Sequence, residues 1–201
     1  VIDRAAKRFI DPALDALGRF LAGAGVTANA VTLAGFALAL TAAMLIAFEL
    51  YLAGLASILA SRLCDGLDGA VARATQRTDF GGYLDIVLDF GFYGLIPLAF
   101  AIADPAANAV AACALLLSFY VNGGSFLAYA TLAEKRGLSG EARGSKSFLF
   151  SAGLAEAGET LAAFVAMCLF PSWFSVLAGA FAALVFYTAA VRIFRAWRSF
   201  V

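Results

Sequence analysis

Six apolar stretches, at about 29–48, 51–75, 82–103, 107–133, 147–170 and 173–197, take up most of this 201-residue chain. A membrane-crossing helix needs about 20 mostly apolar residues, so the chain has room for at most six or seven spans with short connections. The composition agrees: 63% of residues are hydrophobic and only 14% are charged, against roughly 25% charged in soluble domains. A soluble chain this small could not bury so much apolar surface away from water. The expected fold class is therefore an all-α integral membrane protein.

Residues 1–24, "VIDRAAKRFIDPALDALGRFLAGA", interleave Arg4, Lys7, Arg8 and Arg19 with Phe9, Ile10, Leu14, Leu17, Phe20 and Leu21. That spacing predicts an amphipathic helix lying in the headgroup region, interrupted near Pro12. The whole chain is expected to form one membrane domain, with an interfacial helix over 1–24 and a bundle of six transmembrane helices over 25–201. Expected connectors carry Gly, Pro or Asp: "DFGG" at 79–82, "ADPAAN" at 103–108 and "FPSW" at 170–173.

The 14 basic and 14 acidic residues balance, so net charge points to no nucleic-acid partner. Their placement is more informative. With six spans, Arg4, Lys7, Arg8, Arg19, Arg73, Arg77, Lys135, Arg136, Arg143, Lys146, Arg192, Arg195 and Arg198 all fall on one side. By the positive-inside rule that side is cytoplasmic and holds both termini. Arg62, within the second stretch, is the exception. Cys64, Cys113 and Cys168 are scattered and the chain has no histidine, which argues against thiolate or imidazole metal sites and against a disulfide framework.

Four aspartates fall inside two neighbouring spans: Asp65 and Asp68 on the second, Asp85 and Asp89 on the third. Charges in spans cost about 2.5–3.5 kcal/mol each on insertion scales and normally line a site or pathway. The i, i+3 and i, i+4 spacings put each pair on one helix face. At about 1.5 Å of rise per residue, Asp68 and Asp65 stand about 8 and 12 Å above Arg73, and Asp85 and Asp89 about 6 and 12 Å above the following turn. The pairs match in depth, so all four carboxylates can converge on a point facing the cytoplasm. Four converging carboxylates cannot all stay ionised without protons or metal ions to compensate them. All-oxygen ligands favour Mg²⁺ or Mn²⁺, held by carboxylates together with substrate phosphates. Gly66, Gly69, Ala70 and Ala72 keep the acidic face of the second span bare, as do Gly81 and Gly82 at the start of the third. Small residues also serve close helix packing, but Gly69, beside Asp68, suits the approach of a flat ligand.

The run "DGLDGAVARATQRTDFGGYLDIVLD" fits D-x2-D-G-x2-A-R-x7-G-x3-D-x3-D without a gap. It resembles the signature of the CDP-alcohol phosphotransferase (CDP-alcohol phosphatidyltransferase) family of membrane enzymes. Asp65, Asp68, Gly69, Ala72, Arg73, Gly81, Asp85 and Asp89 occupy its fixed positions. The resemblance implies an enzyme of phospholipid biosynthesis in which an alcohol hydroxyl attacks the lipid-side phosphorus of CDP-diacylglycerol and expels CMP. It implies Asp65, Asp68, Asp85 and Asp89 as ligands of two Mg²⁺ or Mn²⁺ ions and Asp89 as general base. Gly69 and Ala72 would border the cytidine, with Arg73 near the nucleotide end. "VTANAVT" at 26–32 resembles the family's Thr-Pro-Asn run, with Ala28 in the proline's place, and adds Thr27 and Asn29 as nucleotide contacts. Asn29 and Thr32 also read as the cap and first turn of a helix. A homodimer in a bacterial-type inner membrane, with the active site cytoplasmic, completes the expectation.

The acceptor alcohol, among glycerol phosphate, inositol phosphate, serine and similar compounds, is not named by the residues. Arg143 and Lys146 stand where related enzymes contact phosphorylated acceptors, and equally where a positive-inside flank belongs. Glu156 and Glu159 lie near mid-membrane and are expected to pair with Arg62, or else to bind a polar headgroup. Arg192, Arg195 and Arg198 read as an anchor to anionic headgroups or as a contact to an acceptor phosphate. The competing readings are a divalent-cation transporter or channel, an aspartate-rich prenyl-type transferase, and a catalytically silent lipid-binding relative. The continuous eight-position motif and the six spans favour the phosphatidyltransferase.

Overall fold

The computed structural model describes residues 2–137 and 157–200. Among them are seven α-helices: α1 (Ile2–Gly23), α2 (Ala28–Ala47), α3 (Tyr51–Ala74), α4 (Asp79–Ala103), α5 (Pro105–Lys135), α6 (Ala157–Leu169) and α7 (Phe174–Phe200), with a 3₁₀ turn at Pro171–Trp173. The helices α2, α4, α5 and α7 are long and apolar enough to cross a membrane. α3 has the length, but Arg62, Asp65, Asp68 and Arg73 dilute its hydropathy. α6 is the described part of the fifth apolar stretch. Large apolar side chains stay exposed along these helices, among them Met44, Leu98, Val110, Leu117 and Val176. Such faces are a liability in water and the normal lining against lipid, so this is a membrane protein.

The chain divides into two compact units, Val1–Ala106 and Ala107–Val201. In the first, α2 packs along both α3 and α4, and α1 crosses α3. Small residues set the approach. A Cβ on Gly54 would come within 2.6 Å of Ile46, one on Gly35 within 3.0 Å of Cys64, and one on Gly91 within 2.8 Å of Phe36. The hydroxyls of Ser57 and Ser61 donate across the α2–α3 seam to the carbonyls of Leu38 and Gly35, each at 2.8 Å. In hydrocarbon, where water offers no alternative partner, this pairing of small residues and hydroxyl bonds is what holds helices together. The backbones of α3 and α4 are not packed on each other. Their side chains span the gap, with Tyr51 stacked on Phe100 at 5.5 Å at one end and the acidic residues at the other.

Four local expectations change. α1 is continuous through Pro12 rather than interrupted there; the ring removes one backbone hydrogen bond, and the helix continues past it. "DFGG" is not a connector: Thr78 caps α4 by accepting from the Gly81 amide at 3.0 Å, so the helix starts at Asp79 and the turn is residues 75–78. The α2 cap is Thr27, which accepts from the Ala30 amide at 3.2 Å, and not Asn29. "ADPAAN" contracts to Asp104, because Pro105 opens α5 at a position where no amide is needed. α1 and α2 end in the same motif. The residue after the cap is Gly25 (φ 80°) in one and Glu49 (φ 63°) in the other, each with paired backbone bonds back into its helix.

In the second unit α6 packs on α7, and Phe119 of α5 meets Phe164 and Phe181 edge-on, both at 6.2 Å. Arg192, expected as a headgroup anchor or a phosphate contact, has partners within the second unit. It is half-buried and donates to the Asn122 carbonyl (2.9 Å), Asn122 Oδ1 (2.8 Å) and Ser125 Oγ (3.0 Å), tying α7 to α5 beside Gly123 and Gly124. Arg198 is exposed and lies over Phe194.

Candidate active site

The expected metal ligands and nucleotide contacts all fall in the first unit, at the end where α3 finishes and α2 and α4 begin. A cavity of about 600 Å³ opens there, lined by Thr27, Asn29, Gly69, Ala72 and Arg73, the five expected nucleotide contacts, together with Thr32, Gln76, Arg77, Thr78, Gly81, Gly82, Asp68 and Asp85. The N-termini of α2 and α4 both border it, so two positively polarised helix ends face the space where an anion would lie. Its walls are kept open by missing side chains. A Cβ on Gly81 would stand 3.0 Å from both Asn29 Oδ1 and Thr78 Oγ1, and one on Gly69 would stand 3.4 Å from the Arg73 guanidinium.

Asp68 and Asp85 line this cavity and also a much smaller cleft of about 10 Å³ behind it, whose walls include Asp65, Asp89, Arg62, Ser61 and Phe36. One carboxylate oxygen each from Asp65, Asp85 and Asp89 lie within 4.8 Å of one another. Asp68 stands apart from that trio. It is buried, and its Oδ2 accepts from Thr32 Oγ1 at 2.6 Å. The matched depths on α3 and α4 therefore bring three carboxylates together directly and leave the fourth at the border of the larger cavity. An all-oxygen trio of this spread, with no nitrogen or sulfur donor in it, fits a hard divalent cation such as Mg²⁺ or Mn²⁺.

Three neighbours of the site escaped the sequence reading. Thr32 read only as part of a helix turn, yet its hydroxyl holds Asp68. Asp15 of α1 accepts from Arg73 Nη2 at 2.7 Å and from Nε at 3.3 Å, so the arginine beside the cavity is steered by α1. Gly18 lets α1 come this close: a Cβ there would lie 2.7 Å from Ala70. The i, i+3 pair Asp15 and Gly18 shares one helix face, and that was the available signal. Arg62 was expected to pair with Glu156 and Glu159. Within the first unit its Nη1 donates to Asp89 Oδ1 at 2.7 Å and to Asp65 Oδ1 at 3.4 Å. The i, i+3 spacing from Arg62 to Asp65 was visible in the sequence, whereas the reach to Asp89 depends on how α4 sits. Arg143, Lys146 and Glu156 lie outside the described residues; Glu159 is half-buried in the first turn of α6.

Comparison with known proteins places these residues in context. The profile of the family described as CDP-alcohol phosphatidyltransferase matches residues 25–191. The chain is 44% identical over 193 residues to the inner membrane protein YnjF of Escherichia coli, covering 96% of this chain and 94% of that protein. It is 41% identical over 81 residues to the archaetidylinositol phosphate synthase of Pyrococcus horikoshii, a match covering 38% of this chain and 41% of that enzyme. Its fold is similar to that of the phosphatidylinositol phosphate synthase of Mycobacterium tuberculosis, solved with CDP-DAG bound and also with manganese and citrate. The first of those structures has a TM-score of 0.68 at 22% identity and covers 92% of this chain and 93% of its own.

Proposed function

The chain belongs to the CDP-alcohol phosphatidyltransferase family of phospholipid-synthesising membrane transferases, and we propose that it transfers the phosphatidyl group of CDP-diacylglycerol to an alcohol acceptor, releasing CMP. The observation that carries this reading is the cavity that collects all five nucleotide-contact candidates and shares Asp68 and Asp85 with the acidic cleft behind it. The fold shared with a synthase solved with CDP-DAG and with manganese supports the donor and the metal.

In this reading the cytosine lies against Gly69 and Ala72, where no side chain projects. Thr27, Asn29 and Arg73 hold the nucleotide end, and the N-termini of α2 and α4 face its phosphates. Asp65, Asp68, Asp85 and Asp89 would hold two Mg²⁺ or Mn²⁺ ions, whose Lewis acidity neutralises the charge that develops on the departing CMP. Asp89 takes the proton of the acceptor hydroxyl at a carboxylate oxygen as that hydroxyl attacks the lipid-side phosphorus. A new ester P–O bond forms, the bond to the CMP oxygen breaks, and the proton stays on Asp89 until solvent removes it. Thr32 fixes Asp68 at the border between the two spaces.

The acceptor is an alcohol such as glycerol phosphate, inositol phosphate or serine, with Arg143 and Lys146 as its proposed contacts. The protein is proposed to cross a bacterial-type inner membrane six times, with the site and both termini cytoplasmic, and to work as a homodimer. The test is CMP release by purified protein supplied with CDP-diacylglycerol, Mn²⁺ and a panel of glycerol phosphate, inositol phosphate, serine, inositol and choline. At least one acceptor should raise release well above the acceptor-free rate. A flat response over a panel extended to other small alcohols would contradict the reading.

A further inference from the structure

Arg62 is the least ordinary charged side chain in the first unit. Its side chain is 18% exposed, it lies inside the acidic cleft, and its guanidinium stands 3.8 Å from the centre of the Phe92 ring. Nη1 contacts one oxygen of Asp89 at 2.7 Å and one of Asp65 at 3.4 Å, and Nη2 reaches Ser61 Oγ at 3.3 Å. Its Nε is buried without a hydrogen-bond partner. A buried unmet donor is costly, so the carboxylates and the ring hold the guanidinium here at the expense of its own hydrogen bonding.

The position is significant because it is shared. Asp65 and Asp89 belong to the trio whose oxygens lie within 4.8 Å of one another, and Nη1 sits against both. A divalent cation held by Asp65 and Asp89 would have to share with Nη1 the two carboxylates that it already contacts. Two cations held by the same pair of half-buried carboxylates would also repel each other. Arginine suits such a post, because its charge cannot be lost by deprotonation.

We propose that Arg62 is a built-in counter-cation at the Asp65–Asp89 edge, which neutralises the carboxylates before metal binds and competes with the ion for that edge. Metal loading then requires the guanidinium to swing off Asp89, and the edge ion is the weaker of the two. The proposal rests on the reading of the aspartates as metal ligands. Arg62 is a positioning residue in this account and touches no substrate.

The test is a Mn²⁺ titration of the purified full chain, reading free Mn²⁺ by electron paramagnetic resonance, with Asp85→Asn as the control for binding at the cluster. Arg62→Gln is expected to bind the weaker Mn²⁺ at least about tenfold more tightly than wild type, since a fixed positive charge leaves the edge. An Arg62→Gln chain that folds only with Mn²⁺ present would support the same conclusion. Equal or weaker Mn²⁺ binding by Arg62→Gln, or failure of that variant to fold even at saturating Mn²⁺, would overturn the proposal. If wild type binds and the variant binds no tighter, only the counter-cation role fails. If neither binds Mn²⁺ at the cluster, the metal reading fails with it.

Discussion

Thr32 donates to Asp68 at 2.6 Å, and a hydrogen bond to a charged group is worth about 1.5–3 kcal/mol. Thr32→Val keeps the shape of the side chain and removes that bond, so kcat/KM for the CDP donor should fall by roughly tenfold or more. Steady-state CMP release checks this, with a matching thermal midpoint to show that the fold is intact. Glu49 offers the opposite case. It holds a left-handed conformation, φ 63°, at the end of α2, where α1 uses Gly25. Glu49→Gly should stabilise the protein by about 1 kcal/mol, seen as a higher unfolding midpoint in detergent, with CMP release unchanged. At this scale the sequence was legible where spacing alone decides. The four aspartates, Gly69 and Arg73 could be named from a gapless motif. Thr32 and the Asp89 contact of Arg62 could not, because both depend on the placement of one helix against another, and no periodicity within a single helix encodes that.

Helix boundaries show the same division. The apolar runs anticipated α2 to α5 and α7 to within a few residues, because hydrocarbon thickness fixes how long an apolar run must be. Connectors were misjudged where a polar or glycine-rich string turned out to be a helix start: "DFGG" lies inside α4 because Thr78 supplies the cap. Pro12 misled in the reverse direction, since a single proline removes one hydrogen bond without ending α1. The α2–α3 seam was also hidden, being built from glycines and serines that read as neutral background. Its closeness is testable. Gly54→Leu would force bulk into a position where even a Cβ comes within 2.6 Å of Ile46, and such overpacking costs typically about 1–3 kcal/mol. A lower unfolding midpoint is expected, with loss of activity following as α3 shifts relative to α4. For α1, Gly18→Leu should lift the helix off Ala70 and part Asp15 from Arg73. Trypsin cleavage after Arg19, measured in detergent, should then be faster than in wild type.

At the scale of the whole molecule, composition and the one-sided basic residues indicated a membrane protein, and the motif pointed to the family. The structure adds that the expected nucleotide contacts and all four aspartates lie within the first compact unit, Val1–Ala106. The acceptor was illegible because a short basic flank serves topology and phosphate binding equally well, so Arg143 and Lys146 carry no unique signal. The central claim is that four carboxylates from α3 and α4 act as one metal-binding and proton-accepting group on a CDP-linked lipid. Its most direct test is Mn²⁺-dependent CMP release from CDP-diacylglycerol, comparing wild type with Asp65→Asn, Asp68→Asn, Asp85→Asn and Asp89→Asn. Wild type should release CMP with Mn²⁺ and stop when EDTA is added, and each variant should lose about 10²-fold or more. Release that survives EDTA, or an Asp89→Asn enzyme as fast as wild type, would contradict the account.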